Sequence, residues 1–521
     1  MRIPIRLFFI FSLLGVLGLT GCGRAPYPSE VSEVLDKAGD NRAELERVIE
    51  HYRTEGDSLK LEAAFFLIGN MEGHAYATYV LKDSTDEVVA FNALDYIDFD
   101  SLLTAVDSLD KVHPGLDFKR GDLMYDIDSI RADFLITQID YAFRAWREKP
   151  WTKDLSFDDF CRYVLPYRGS NEPLEDWRGY FWDKYKDVTT RMTDSTDPIE
   201  ATVLINNDVR SWFTFDRRFY FHPTDLGLAE MLEIGLGRCE DMTNVTIYAL
   251  RANGLAVTSD YTPYWANAGN NHAWNAILAP DGRLLPFMGA EANPGEYHLR
   301  YKLAKVYRKM FNKNRANPVF LDRKQESIAP WLGGKSYLDV TADYIDVCDV
   351  TVIFEKDIPD SIDLAYLCVF NSGSWGAIHW AKVENNRAVF TDMGTSVVYL
   401  PALYLGKEIE PWGAPFVLNG DCQLQSLTPG DTHQTARLTA TTGIERAEST
   451  DGVKKTFLTS GREYELQYWD DEWRVLDTLR AGDGPLVFDS VPEGGLYWLT
   501  AIDSDRDERI FTLEDGEQIW W

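Results

Sequence analysis

The chain has 521 residues, 45% hydrophobic and 13% aromatic, which is enough apolar material for about two to four buried cores. Lys and Arg together number 52 against 83 Asp and Glu, a formal net charge of −31. A surface of that sign repels nucleic acid and anionic membrane, and no basic stripe offsets it, so polyanion binding is excluded as a function class.

Taken in chain order, the first element is a leader. Arg2 and Arg6 precede the apolar run 7–19, a charged segment followed by a hydrophobic one too short to span a bilayer. Leu19-Thr20-Gly21-Cys22 follows directly and has the form of a bacterial lipobox. Residues 1–21 are therefore expected to be a lipoprotein signal peptide, with lipid carried on Cys22. The mature protein would sit in the cell envelope, periplasmic or at the outer-membrane surface, held to the membrane by acyl chains at Cys22. No acidic run follows Cys22, where Gly23-Arg24-Ala25-Pro26 stands, and this favours the periplasmic side. No later stretch is apolar for long enough to cross a membrane.

Residues 22–199 read as a mainly helical region. Leu45, Val48, Ile49 and Tyr52 form one apolar stripe at helical spacing, and Leu61, Ala64, Phe65 and Leu67 form another. The stretch from Phe160 to Arg178 is dense in arginine and aromatics. Arg168 and Arg178 are expected to pair with the abundant carboxylates rather than to line a groove.

The region 200–315 carries the chemistry. After Gly235 and Gly237, residues Met242, Val245, Thr246, Ala249 and Leu250 recur at three- and four-residue steps, and Gly254 stands where a left-handed cap would end the helix. Cys239 then opens that helix, where free N–H groups favour a thiolate and could receive an oxyanion. Glu240 and Asp241 push the thiol pKa the other way. A flexible polar loop, Asn267-Ala268-Gly269-Asn270-Asn271, leads into a strand from His272 that ends at Pro280-Asp281-Gly282. His272, Trp274, Ala276 and Leu278 share one face of it. Trp212, upstream, reads as core packing rather than as part of a cleft.

The run Gly237-x-Cys239-Glu240-Asp241, the following Leu250-Arg251-Ala252-x-Gly254-Leu255 and His272-Ala273-Trp274-Asn275 together resemble the core of the transglutaminase-like superfamily. With the lipobox, the chain looks like a bacterial lipoprotein of that family of the Bacteroidetes type. The resemblance covers roughly residues 200–300 and implies a papain-like core with a Cys-His-Asp triad. Cys239 would be the nucleophile and His272 the general base. Where the family places its orienting aspartate this sequence has Met288, and Asp281 belongs to a turn. Glu291 is the nearest carboxylate that could stand in.

Beyond residue 315 the pattern turns to short strands separated by polar turns, in a β-rich domain at 316–434 and a C-terminal β-sandwich domain at 435–521. Glu463 to Trp469 and Trp473 to Leu476 read as a hairpin, and His379 as a structural strand residue. The aromatics here suit either a glycan platform or a core. Cys348 and Cys368 could sit on neighbouring strands, but no disulfide framework is visible. A metal-dependent hydrolase would need more ligands around His272 than Glu296 and His298, so no metal and no cofactor are expected. The expected fold is α+β and multidomain: a helical N-terminal region, a papain-like transglutaminase-type core and C-terminal antiparallel β-sandwich domains. The expected function is that of a lipid-anchored exported thiol hydrolase acting on amide bonds of peptides or glycopeptides. The alternative is an inactive binding protein whose β-domains hold a glycan or a protein partner.

Overall fold

A computed structural model describes residues 27–322, 328–446, 452–504 and 508–521. The leader and Cys22 lie outside the described residues. Among those described, no helix is long and apolar enough to cross a membrane.

The N-terminal helices Ser29–Lys37, Arg42–Glu55, Ser58–Asn70 and Ala132–Glu148 share one core. The stripe of Leu45, Val48, Ile49 and Tyr52 is fully buried in it, as helical periodicity requires of an inward face. An antiparallel ribbon of Ala75–Lys82 and Asp117–Tyr125 interrupts this region, with helix Phe99–Val112 between its strands. Helical stripes do not announce the ribbon, because its two strands pair across more than thirty intervening residues, the first mostly half-buried and the second largely exposed.

The central sheet is antiparallel throughout, in the order Leu284–Phe287, His272–Leu278, Val257–Thr262, Tyr307–Lys309, Tyr337–Asp339. Its fifth strand comes from beyond residue 315. Helix Cys239–Arg251 lies against this sheet, and Met242, Val245, Thr246, Ala249 and Leu250 are all buried. Gly254 has φ 74°, and a side chain there would collide with Ala145 and Thr152. The cysteine helix therefore ends where the sequence places its cap.

Arg168 forms a buried ion pair with Asp126, in keeping with the sequence reading. Arg178 differs. It is fully buried and donates to Gln138 Oε1 and to the carbonyls of Val164, Leu165, Pro166 and Arg251, with no carboxylate bonded to it among the described residues. It ties the helical region to the C-terminal end of the cysteine helix.

The β-rich part forms an eight-stranded antiparallel sheet from Val347–Ile353 to Leu424–Ser426. A five-stranded sheet and two ribbons follow, and their inner faces share one core as a sandwich. The hairpin of Glu463–Asp470 with Glu472–Arg480 is present. Tyr464, Tyr497, Trp498 and Phe511 are buried, and Trp375, Trp469, Trp473 and Trp498 pack edge to face around Phe370 between the two large sheets. These rings fill cores. His379 is buried, with Nδ1 2.9 Å from Tyr307 Oη, as a structural strand residue.

One expectation about cysteine is corrected. Cys348 pairs with Cys422, 74 residues away, while Cys368 stays reduced and buried. The turn that brings Cys422 back beside the first strand has no signature in residue spacing, so the bridge was not legible.

Candidate active site

Helix Leu228–Ile234 ends on Gly235, whose φ of 69° is the left-handed value that favours glycine. A side chain at Gly237 would sit 2.6 Å from Asp241 Cβ and 2.8 Å from the Phe213 ring, so that position must also be bare. The chain then turns through extended Arg238 into Cys239, the first residue of its helix. Asp241 completes the helix start by accepting the N–H groups of Arg238 and Leu226, each at 2.9 Å. Arg238 in turn pairs with Asp225 at 2.6 Å. The thiol is thus fixed by a buried network.

Cys239 and His272 line one cavity of about 610 Å³, together with Glu291, Met288, Trp265 and Tyr297. Cys239 is 9% exposed. Burial pushes its thiol up to about 11, Glu240 adds to the rise, and the Ala273 N–H and Arg238 oppose it. Burial is the largest influence on the sulfur. The Ala273 amide belongs to the residue after His272, so the histidine strand itself supplies a donor to Sγ.

The His272 ring lies near the Trp265 and Trp274 rings, with centroids 5.8 and 5.9 Å away, and its Nε2 is 2.8 Å from Tyr297 Oη. Burial and the nearby Arg300 push the imidazole down to about 4. At neutral pH the pair is therefore a protonated thiol and a neutral imidazole. Trp274 anchors the strand from below through Nε1 to Tyr344 Oη at 3.0 Å, and Tyr344 in turn donates to Asp260 at 2.6 Å.

The loop before His272 is clamped, not flexible. Asn371 Nδ2 donates to the carbonyls of Trp265, Ala268 and Asn270 at 3.0, 2.8 and 3.0 Å. Buried Arg509, from the C-terminal sandwich, donates to Ala266 at 2.9 Å and to Phe370 at 2.8 Å. Long-range partners of this kind cannot be read from the loop's own polar composition.

Glu291 does not take the orienting position. The strand stops at Phe287, and Met288 bridges Ala292 in a tight turn that carries Glu291 to the cavity rim. There its side chain is 46% exposed and pairs with Arg300 at 3.3 Å. Tyr297 holds the histidine nitrogen instead, and it carries no motif that would have marked it. Asn275 fixes the geometry of the turn, donating to Thr243 O at 3.2 Å and accepting from Gly289 N at 3.2 Å. Trp212 packs on the core beside Lys184 and takes no part in the cavity. Among the described residues, no group with metal-ligand geometry includes His272, Glu296 or His298.

Residues 186–287 match the family model of the transglutaminase-like superfamily core. The chain carries a transglutaminase-like domain. No curated protein matches the chain. The crystal structure of red sea bream transglutaminase aligns at 10% identity over 86% of this chain and 76% of that one, with a TM-score of 0.23, too loose a superposition to place residues. The transglutaminase-like domain is thus set between an N-terminal helical region and the C-terminal antiparallel sheets, in an α+β multidomain fold.

Proposed function

We propose that the transglutaminase-like domain is a thiol-dependent acyl-transfer centre that hydrolyses amide bonds of peptides or glycopeptides. The observation that carries this reading is Cys239, at the start of a helix, sharing a cavity with His272, whose Nε2 is held by Tyr297. In the productive tautomer Nε2–H donates to Tyr297 Oη, which leaves Nδ1 free as the base. The Cys239 proton passes to Nδ1 as sulfur attacks the substrate carbonyl carbon, and the N–H groups of the first helical turn receive the oxyanion. The imidazolium returns its proton to the leaving amine as the C–N bond breaks. Water then cleaves the thioester, releasing the acid and restoring the thiol. Because the resting thiol is neutral, proton removal and attack occur together rather than through a standing ion pair.

The leader and lipobox support placing this centre in the cell envelope on an acyl anchor at Cys22. The Cys348–Cys422 bridge supports an oxidising compartment. A second reading, a binding protein without turnover, is favoured by one observation: among the described residues no carboxylate is bonded to His272. Loss of an orienting carboxylate costs on the order of 10⁴ in serine proteases. Incubation with p-nitrophenyl acetate separates the two. The enzyme reading expects a burst of one nitrophenolate per chain that vanishes in Cys239→Ala, and release indistinguishable from that variant would sink it.

A further inference from the structure

Three arginines line the Cys239 cavity of a chain whose net charge is −31: Arg217, Arg300 and Arg446. One acidic residue, Glu291, stands against them. With 83 acidic and 52 basic residues in the chain, a lining drawn from its average composition would be acidic. The three side chains come from separate parts of the fold. Arg217 opens the short helical turn Arg217–Phe221, Arg300 follows the turn that carries Glu291, and Arg446 directly follows sandwich strand Ala440–Glu445.

Their partners matter more than their number. Arg217 lies 4.0 Å over the Phe99 ring and Arg446 lies 5.7 Å from the Tyr301 ring centroid, and neither has a carboxylate partner among the described residues. Arg300 shares Glu291 at 3.3 Å with its side chain 61% exposed. Guanidinium groups seated on aromatic faces keep their N–H forks free for a planar anion.

We propose that this cleft takes an acyl donor bearing carboxylate groups beside the scissile amide, an acidic peptide gripped by Arg217, Arg300 and Arg446. The inference rests on the acyl-transfer reading and names its substrate class. A second cavity of about 1370 Å³ shares Tyr297, Tyr301 and Arg446 with the first, but Asp343, Asp346 and Glu445 line it, so the arginine excess belongs to the thiol's cavity.

The test reads charge at the cleft without requiring turnover. Cys239 in the full chain is modified with an anionic sulfonatoethyl and a cationic trimethylammonioethyl methanethiosulfonate, and the rate ratio is compared with that of an unstructured cysteine peptide. The expected result is an anion preference of about tenfold at low salt that collapses at high salt. It should fall toward the peptide value in Arg217→Gln/Arg300→Gln/Arg446→Gln and increase in Glu291→Gln. All four positions are exposed at the rim, so these variants should fold. A ratio equal to the peptide's, or one unmoved by the substitutions, overturns the proposal. A protection arm uses tetrapeptides with Glu or Gln side chains and with free or amidated C-termini. Slower modification by the Glu pair identifies side-chain carboxylates, slower modification by the free-acid pair identifies the terminal one, and equal effects or none from all four overturn the proposal. Failure here leaves the nitrophenolate burst intact, so the two readings fail separately.

Discussion

At the residue scale, the site turns on two side chains whose protonation differs from the ordinary one, Cys239 and His272, and on Tyr297, which bonds the second. With the Cys239 thiol pushed up to about 11 and the His272 imidazole down to about 4, modification of Cys239 by neutral iodoacetamide should rise roughly tenfold per pH unit from neutrality toward pH 11. It should show no plateau near pH 7. Mass-resolved labelling across pH checks this, and an early plateau would mean a standing thiolate. Tyr297→Phe removes the bond at 2.8 Å that fixes the imidazole. Acylation should slow by about tenfold, the worth of one hydrogen bond, while iodoacetamide labelling at high pH stays unchanged. Linkage gives a sign as well. His272 is neutral and buried when folded, and an unfolded histidine gains its proton near pH 6.5, so this contribution to stability is lost as pH falls from about 6.5 toward 4. Cys239 and His272 were legible because glycines, helical spacing and a strand start surround them. Tyr297 was not, since it reaches the ring from a turn with no periodicity.

At the element scale, the cysteine helix and the histidine strand carry the site, and a loop from a distant sheet sets its rim. Helix spacing and the left-handed glycine at Gly254 follow from local sequence and are present as read, while the cap at Gly235 comes from the structure. The loop 265–271 is not a local matter. Asn371 donates to three of its carbonyls, so Asn371→Ala should cost about 1–3 kcal/mol and loosen the approach to His272. Thermal melts give the first quantity, and amide exchange over residues 265–272 gives the second. Protection unchanged from the wild type would show that the clamp is idle. The turn 288–292 tells the same lesson from the other side. Its bridge from Met288 to Ala292 decides that Glu291 faces Arg300, and a one-residue difference in strand length is beyond what alternation can specify.

At the scale of the whole molecule, the transglutaminase-like domain is held on both sides. Buried Arg178 binds carbonyls of the helical region and of the cysteine helix, and buried Arg509 binds the sandwich to the loop before His272. Burial pulls Arg509 down to about 9, and it donates to main-chain oxygens of Trp521, Phe370 and Ala266. The α+β order of helices, core and antiparallel sheets was legible from patterning, whereas the docking was not, because a lone arginine in a strand segment looks like a surface charge. The Cys348–Cys422 bridge closes a long loop of the β-rich part. Reduction should lower stability by about 2–4 kcal/mol, seen as a melt shifted by reductant and abolished by Cys422→Ser.

The central claim is that Cys239 and His272 act together on an acyl group. The measurement that tests it most directly is acid-quenched peptide mapping after brief exposure to p-nitrophenyl acetate. The account expects an acetyl thioester on Cys239 at neutral pH, formed at least about a hundredfold more slowly in His272→Ala. No adduct on Cys239, or one formed equally fast without His272, would contradict it and leave a transglutaminase-like domain that binds without turning over.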